Sequence, residues 1–305
     1  MSKVYDVIVL GAGPAGLAAG LYAGRSRLST LVIEKGKDGG QIAITDDIEN
    51  YPGQIVEGES GPSLIARMTQ QCEKFGVERA SDVINEVHLD GDIKVLKSAK
   101  AEYQSKTVII ATGAFARPIG CKGEKEFMGK GVSYCATCDG AFFRNKTVAV
   151  VGGGDVALED ALYLANVCEK VYLIHRRDEL RGAKVLQQRI FDAANIEFLP
   201  HTEVREICGE NMVDHIVIED NRTEEKRDLA LSGIFIAVGM QPQTALVKEV
   251  VEMENGYIRA GEDCRTNIPF LYAIGDVRTK TVRQIATAIG DGAAVIASLE
   301  HDLLQ

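Results

Sequence analysis

The sequence predicts an α/β protein built from two doubly wound parallel sheets, and three observations support that prediction. The 305-residue chain is longer than most single domains, and its 46% hydrophobic and 26% charged residues are ordinary values for a folded protein. It contains one pattern twice: an apolar strand, a glycine-rich turn and a helix. In each copy a second apolar strand follows the helix, which is the order that produces a parallel sheet covered by helices.

The first copy occupies about residues 1–115. A strand is predicted over 7–10, a helix over 17–25 and a second strand over 30–33. The turn between the first strand and the helix contains Gly11, Gly13, Pro14, Ala15 and Gly16. A later apolar strand, 107–110, ends in the small residues Ala111, Thr112 and Gly113.

The second copy lies between about residues 118 and 243. It has a strand over 148–151, a helix over 158–164, a second strand over 171–174 and a later strand over 233–238. Its turn contains Gly152, Gly154, Asp155 and Ala157. Two copies of one strand–turn–helix–strand unit predict two Rossmann-like domains.

Each glycine turn predicts a site for a dinucleotide. The first glycine permits the tight turn, the second lets a pyrophosphate approach the backbone, and the third small residue allows close packing at the helix N-terminus. Because each turn follows a strand and opens a helix, we give little weight to glycine turns without a ligand in the first copy. In the second copy, whose motif ends in Ala157 instead of a glycine, a turn without a ligand is a stronger alternative.

The residues after the second strands distinguish the two ligands. Glu34 lies 23 residues after Gly11, where an acid binds ribose hydroxyls and repels a 2′-phosphate. His175 has the equivalent place in the second copy and is followed by arginines, which pair with phosphate oxygens. We therefore expect FAD in one domain and NADPH in the other, the basic set being His175, Arg176, Arg177 and Arg181. The alternative is a solvated basic face whose arginines pair with Asp178 and Glu179.

The end of the chain is too short for a third domain. After residue 243 it contains one apolar strand that ends in Gly275 and Asp276, then one helix over 284–299. This tail is expected to complete the first domain. The predicted domains are residues 1–116 and 244–305 for FAD, with an inserted NADPH domain of residues 117–243.

The cysteines indicate redox chemistry. Seven are spread over the chain, which is not the framework of a secreted disulfide-rich protein, and Cys135 and Cys138 form a CxxC motif. Half of a zinc site is the alternative, but no second CxxC or HxxxH supplies the other ligands, so no metal is predicted. Asp139 follows directly and is a candidate proton donor and acceptor, or a helix cap.

Charge and hydropathy exclude other classes of protein. The formal net charge of −10 argues against nonspecific nucleic-acid binding, which needs clustered Lys and Arg. No apolar run is long enough to span a membrane, and the first residues lead into a strand pattern instead of a signal peptide. We expect a soluble cytoplasmic protein.

Taken together, these motifs resemble the low-molecular-weight NADPH-dependent thioredoxin reductases. The resemblance covers essentially the whole chain. It includes both glycine turns, Ala111-Thr112-Gly113, the CATCDG run from Cys135 to Gly140, the basic run from His175 to Arg181, Gly275-Asp276, Gly39-Gly40-Gln41 and Glu49-Asn50-Tyr51-Pro52-Gly53.

The resemblance implies further site residues. Glu34 would bind the FAD ribose, Gly40 would lie in the same site, and Gln41 and Asn50 would lie along the flavin. Asp276 would bind the ribityl or pyrophosphate region, and Arg283, Gln284 and Ile285 would lie near the ring system. A cap on the following turn is the alternative role for Asp276.

The implied reaction transfers a hydride from NADPH to FAD, reduces the Cys135–Cys138 disulfide and then reduces oxidised thioredoxin by thiol–disulfide exchange. Cys138 would face the flavin and Cys135 would engage the partner. The inserted domain would rotate about its two linkers, and a homodimer is expected by resemblance. The alternatives are a ferredoxin-linked or other small-protein disulfide flavoreductase of the same fold, and a redox sensor without turnover.

Overall fold

The computed structural model describes residues 3–44, 48, 50–55 and 59–304. Glu49, which contributes to the resemblance, lies outside these residues. The strands are β1 (Val4–Leu10), β2 (Thr30–Glu34), β3 (Glu78–Ser81), β4 (Ile84–His88), β5 (Lys94–Ser98), β6 (Glu102–Ile110), β7 (Ala114–Ala116), β8 (Val132–Ser133), β9 (Thr147–Val151), β10 (Lys170–Ile174), β11 (Ile196–Leu199), β12 (Thr202–Gly209), β13 (Val213–Asp220), β14 (Lys226–Ala230), β15 (Gly233–Ile236), β16 (Met240–Pro242), β17 (Met253–Glu254), β18 (Tyr257–Ile258) and β19 (Leu271–Ala273). The helices are α1 (Pro14–Arg25), α2 (Gly61–Lys74), α3 (Ala136–Asp139), α4 (Asp155–Ala165), α5 (Lys184–Asp192) and α6 (Ile285–Leu303), with 3₁₀ turns at Gly40–Ile44, Gly140–Phe143 and Gly275–Val277.

The chain divides into two compact units. Unit one consists of Met1–Phe115 and Gln241–Gln305, and unit two is Ala116–Met240. Unit two is therefore an insertion in the sequence of unit one. Among the described residues, no helix is long and apolar enough to cross a membrane.

The sheet of unit one is parallel in the order β3-β2-β1-β6, and β19 pairs with the end of β6. The beginning of β6 pairs instead with β5, which continues the sheet as an antiparallel meander to β4. Alternate residues of β1 enter two different core clusters, Val7 and Val9 in one and Ile8 and Leu10 in the other. Both faces of β1 are covered, which is why this strand is a continuous apolar run in the sequence.

The sheet of unit two has the parallel order β11-β10-β9-β15-β8. A separate antiparallel sheet, β12-β13-β14, packs its apolar residues into the same cluster as Ala149 and Ile234 of β9 and β15. The other face of β9, with Val148 and Val150, packs into the cluster formed by α4. Each unit thus has a central strand that leads into a glycine turn and a helix.

The last strand of each parallel sheet has a different origin in the sequence. In unit one it is β19, which comes from the chain's final segment and is followed by Gly275. In unit two it is β8, which precedes the central strand and is followed by Cys135. Because the carboxyl ends of parallel strands share one edge of a sheet, Cys135 begins at the same edge as the Gly152–Gly154 turn.

Two short strands carry the chain into and out of unit two. β7 pairs with β16 in a two-stranded sheet. On either side of this pair, the Arg117 N–H donates to the Gly239 carbonyl and the Gln243 N–H donates to the Gly113 carbonyl, both at 2.9 Å. These hydrogen bonds extend the pairing in an antiparallel register.

Candidate active site

The glycine turn of unit one is held by close packing. Gly11 has φ +109°, and a Cβ at this position would collide with the Ala111 carbonyl oxygen. A Cβ on Gly16 would collide with the Gly11 carbonyl. Beside Gly13, by contrast, no described atom lies within 4 Å of the Cβ position. The turn therefore has a tightly packed base and an open outer side at the N-terminus of α1, which suits a phosphate.

Glu34 lies across this turn at the end of β2. Its Oε2 accepts the Ala12 N–H at 2.8 Å, and its Oε1 accepts the Gly36 N–H at 3.1 Å. The Gly39 N–H in turn donates to the Ala12 carbonyl at 2.8 Å, which brings Gly39 and Gly40 beside the turn. Two carboxylate oxygens next to the turn can accept ribose hydroxyls.

Gly275 and Asp276 meet the same turn from the end of β19. A Cβ on Gly275 would lie 2.9 Å from the Ala15 Cβ. Asp276 Oδ1 is buried, and it has no hydrogen-bond partner within the described part of the chain. Burial raises the pKa of Asp276, while the charges of Lys280 and Arg283 lower it. A buried carboxylate oxygen without a partner suits a ligand hydroxyl, so these residues fit FAD.

The other residues implied for the flavin lie around the start of α6. Asn50 Nδ2 donates to Gln284 Oε1 at 3.1 Å, and Gln284 forms a capping box with Thr287. Gln41 Nε2 donates to the Ala114 carbonyl. The Arg283 guanidinium lies over the Tyr257 ring, 4.2 Å from its centroid, and its Nε is buried without a partner among the described residues. Ile285 is buried in the core with α1.

A buried ionic cluster supports the Gly275–Val277 turn. Asp291 accepts the Gly275 N–H, Arg278 Nε and Arg278 Nη2 at 2.8 Å each, and Lys280 Nζ at 2.9 Å. All three charged side chains are less than 10% exposed. Burial opposes ionisation of Asp291, but the hydrogen bonds from Arg278 and Lys280 hold its pKa below the ordinary value. Sequence analysis missed this cluster, although one acid in the apolar run of α6 is a signal for a buried ion pair.

The glycine turn of unit two has the same design. A Cβ on Gly152 would lie 2.6 Å from the Ala157 Cβ, whereas the space beside Gly154 is open to 4 Å among the described atoms. In the first turn of α4, Asp155 Oδ1 accepts the Ala183 N–H at 2.7 Å. The turn again presents an open helix N-terminus.

His175 and the arginines lie beside this turn. A Cβ on Gly153 would lie 2.6 Å from His175 Nδ1, and the Gly153 carbonyl accepts the Arg181 N–H at 2.6 Å. Burial, and then the positive charges of Arg181, Arg177 and Arg176, lower the pKa of His175, so the ring is neutral at pH 7. None of the ion pairs between described residues involves Arg176, Arg177 or Arg181. Pairing with Asp178 and Glu179 therefore does not account for these arginines, and the exposed set suits a phosphate.

A disulfide joins Cys135 and Cys138 at the edge of the unit-two sheet. Cys135 is the N-cap residue of α3, and only Tyr134 separates it from the end of β8. The other five cysteines are free thiols: Cys72, Cys121, Cys168, Cys208 and Cys264. This is the pair that the CxxC spacing singled out.

The Asp139 side chain is hydrogen-bonded to Ser133, a residue that sequence analysis missed. Ser133 Oγ donates to Asp139 Oδ2 at 2.5 Å and accepts the Cys135 N–H at 3.0 Å. The Asp139 side chain does not cap the 3₁₀ turn that follows it. Burial raises the pKa of Asp139, and the Ser133 hydroxyl partly offsets that effect. A short polar residue two positions before the first cysteine was the available signal.

Known proteins match the chain over nearly its whole length. The family model described as pyridine nucleotide-disulphide oxidoreductase matches residues 5–292. The chain belongs to this family. It is 46% identical to a thioredoxin reductase of Peptoclostridium litorale over 307 residues, which covers 98% of this chain and 97% of the relative.

Further relatives indicate the same branch of the family. The thioredoxin reductase of Bacillus subtilis is 46% identical over 302 residues, which covers 98% of this chain and 95% of the relative. The crystal structure of thioredoxin reductase from Streptococcus pyogenes has a TM-score of 0.94 and 46% identity, and the match covers 100% of this chain and 99% of the other. The resemblance to thioredoxin reductases, the α/β fold class and the prediction of a disulfide oxidoreductase with flavin and pyridine-nucleotide cofactors are confirmed.

Proposed function

We propose that this chain uses NADPH to reduce the disulfide of oxidised thioredoxin, through FAD and its own Cys135–Cys138 pair. The single observation that carries the proposal is that pair: a disulfide at a helix start, directly followed by a partly buried carboxyl group, in a chain with two glycine turns. Its relatives at 43–46% identity are thioredoxin reductases. A ferredoxin-linked donor is less well supported, because it would have no use for Arg176, Arg177 and Arg181.

In this proposal unit one holds FAD. The pyrophosphate would lie at the open side of Gly13, Glu34 would accept ribose hydroxyls, and Asp276 would accept a hydroxyl at its Oδ1, which has no partner among the described residues. The residues that would border the ring system are Gln41, Asn50, Arg283, Gln284 and Ile285. When bound, FAD accepts a hydride and passes two electrons to a disulfide.

Unit two holds NADPH and the cysteines. The pyrophosphate lies at Gly154, and Arg176, Arg177 and Arg181 bind the 2′-phosphate. His175 is neutral, and it packs against Gly153 and fixes the turn. After reduction, Cys135 attacks the partner's disulfide and Cys138 resolves the mixed disulfide. Asp139 supplies a proton to a departing thiolate. We also propose a cytoplasmic location and a homodimer.

The first test is the absorption spectrum of the purified protein. We expect a flavin spectrum that NADPH bleaches under anaerobic conditions and that oxidised thioredoxin restores. Cys135→Ser and Cys138→Ser should abolish thioredoxin reduction, whereas Cys208→Ser, which removes a free thiol of unit two, should retain it. Steady thioredoxin reduction by either variant of the pair would contradict the proposal. A flavin that thioredoxin reoxidises but NADPH does not bleach would favour the ferredoxin-linked alternative.

A further inference from the structure

Ser133 lies where it can serve Asp139 in both of its protonation states. The side chain is buried, with the residue 5% exposed, and its oxygen has three neighbours. It donates to Asp139 Oδ2 at 2.5 Å, accepts the Cys135 N–H at 3.0 Å and lies 3.3 Å from the Cys135 carbonyl oxygen. A hydroxyl group has one proton to donate and two lone pairs, and its proton rotates to suit its partners.

This inference rests on the proposed function, in which Asp139 must donate a proton in each catalytic cycle. When two electrons enter the Cys135–Cys138 disulfide, the S–S bond breaks and one sulfur leaves as a thiolate. Proton transfer from Asp139 then breaks the carboxyl O–H bond, forms an S–H bond and leaves a carboxylate. A partly buried carboxyl group that changes charge in each cycle is stabilised by a hydrogen-bond partner in each state, because an unpaired polar group shielded from water is costly.

We propose that Ser133 is a positioning residue whose hydroxyl reverses its hydrogen bond as Asp139 gains and loses its proton. With Asp139 ionised, the Ser133 O–H donates to the carboxylate across the 2.5 Å between Ser133 Oγ and Asp139 Oδ2. With Asp139 protonated, the carboxyl O–H donates to Ser133 Oγ, and the Ser133 proton turns to the Cys135 carbonyl. The Cys135 N–H donates to Ser133 Oγ in both states, so the position of Cys135 relative to Asp139 stays fixed.

Other titratable groups near α3 could also produce a pH dependence, and the experiment must distinguish their titration from that of Asp139. Helix α3 packs against α4 and against the Gly140–Phe143 turn. Burial and then the charge of Glu159 raise the pKa of Asp160, on α4, to about 6, so this group ionises in the working range. The remaining titratable groups on these elements and in the flanking segments are Asp155 and Tyr163 on α4, Tyr134 bonded to Glu124, and Arg144 and Lys146 after the turn.

The test uses the holoenzyme and five variants: Ser133→Ala, Ser133→Thr, Asp139→Asn, Asp160→Asn and Ser105→Ala. Ser105 is a matched control, since it is a fully buried serine in unit one that donates to the backbone carbonyl of Thr107. One measurement is the pH profile of single-turnover thioredoxin reduction started by adding NADPH to the oxidised enzyme, so that the rate includes cleavage of the Cys135–Cys138 disulfide. The other is the infrared carbonyl band of protonated Asp139, identified by subtraction of the Asp139→Asn spectrum.

Ser133 bonds Asp139 in both states, but its hydrogen bond to the charged carboxylate is the stronger of the two. Removing the hydroxyl should therefore let Asp139 keep its proton to higher pH. We expect Ser133→Ala to move the infrared titration, and the pH limb on which the rate falls, upward by about one unit. Ser133→Thr should restore the wild-type position, and Ser105→Ala and Asp160→Asn should leave it unchanged. An unshifted infrared titration in Ser133→Ala, or a rate lowered equally at every pH, would overturn the inference. Normal thioredoxin reduction in Asp139→Asn would instead overturn the proposed proton donor.

Discussion

The buried ionic cluster of unit one gives the sharpest stability prediction. Replacing Asp291 with Asn removes one charge without changing the size of the side chain. The Arg278 guanidinium and the Lys280 ammonium would then be buried without a counter-charge, because both side chains are less than 10% exposed. Breaking a buried pair by removing one partner typically costs about 3–5 kcal/mol. We expect a loss in that range.

Asp302, also on α6, provides the control. It pairs with Arg265, but the two side chains are 24% and 36% exposed. Solvent screens such a pair, and the amide oxygen of Asn can still accept the Tyr272 O–H that Asp302 accepts. Asp302→Asn should therefore cost about 1 kcal/mol or less. Comparing the stability losses of the two variants distinguishes the effect of breaking a buried ion pair from the effect of losing any carboxylate on this helix.

The dependence on pH has a defined sign. Because the folded pKa of Asp291 is lowered, its contribution is complete above the ordinary carboxyl pKa of about 4 and is lost as the pH falls through the lower folded value. The wild type should therefore lose stability below about pH 4 as Asp291 becomes protonated, and Asp291→Asn should lose less over the same pH range. Its deficit should be largest at neutral pH.

The assay is denaturant unfolding at fixed excess FAD, followed by far-UV circular dichroism and by flavin fluorescence on release. Repeating the unfolding at several FAD concentrations separates the binding contribution of each variant from its stability without FAD, because binding stabilises by RT ln(1 + [FAD]/Kd). Since Asp291 also accepts the Gly275 N–H beside Asp276, the variant should bind FAD more weakly. An Asp291→Asn protein within about 0.5 kcal/mol of the wild type would refute the reasoning, because that margin is typical of surface substitutions.

Two further predictions concern unit two. Gly153→Ala places a Cβ 2.6 Å from His175 Nδ1, so the imidazole ring must move. The KM for NADPH should rise, while the flavin content per chain stays constant. An unchanged KM would contradict the role of this turn in NADPH binding. Arg177→Gln removes a phosphate partner, so the KM for NADPH should rise about tenfold with little change for NADH. Arg189→Gln, at an exposed position on α5, is the control in steady-state assays with both nucleotides, and an equal loss with both would argue against 2′-phosphate recognition.

Patterns carried by neighbouring residues could be predicted from the sequence. The turns at Gly11 and Gly152 and the Cys135–Cys138 disulfide are such patterns, because a tight turn and a vicinal cysteine pair each depend on a few adjacent positions. The parallel sheets followed from uninterrupted apolar runs, since strands covered on both faces have no polar alternation. The structure has these elements where the periodicity indicates them.

Features that depend on distant residues could not be predicted. The strand β8 has two residues, too few for a periodic signal, although it completes the sheet beside β15. The bond from Ser133 to Asp139 depends on the turn of α3 that brings their side chains together. The cluster around Asp291 joins a loop to a helix more than ten residues away, and the packing of α6 against α1 and the Gly275–Val277 turn brings them into contact.

The antiparallel pairing of β7 with β16 bears on how this polypeptide can be divided. Where the chain leaves for residues 116–240 and where it comes back are adjacent backbone segments. A short hairpin loop is therefore long enough to join position 115 directly to 241, as between any two antiparallel neighbours. A shortened polypeptide of this kind would keep both pieces of unit one covalently continuous. The excised module, whose own two ends are likewise neighbours, would be a natural candidate for transplantation into another host.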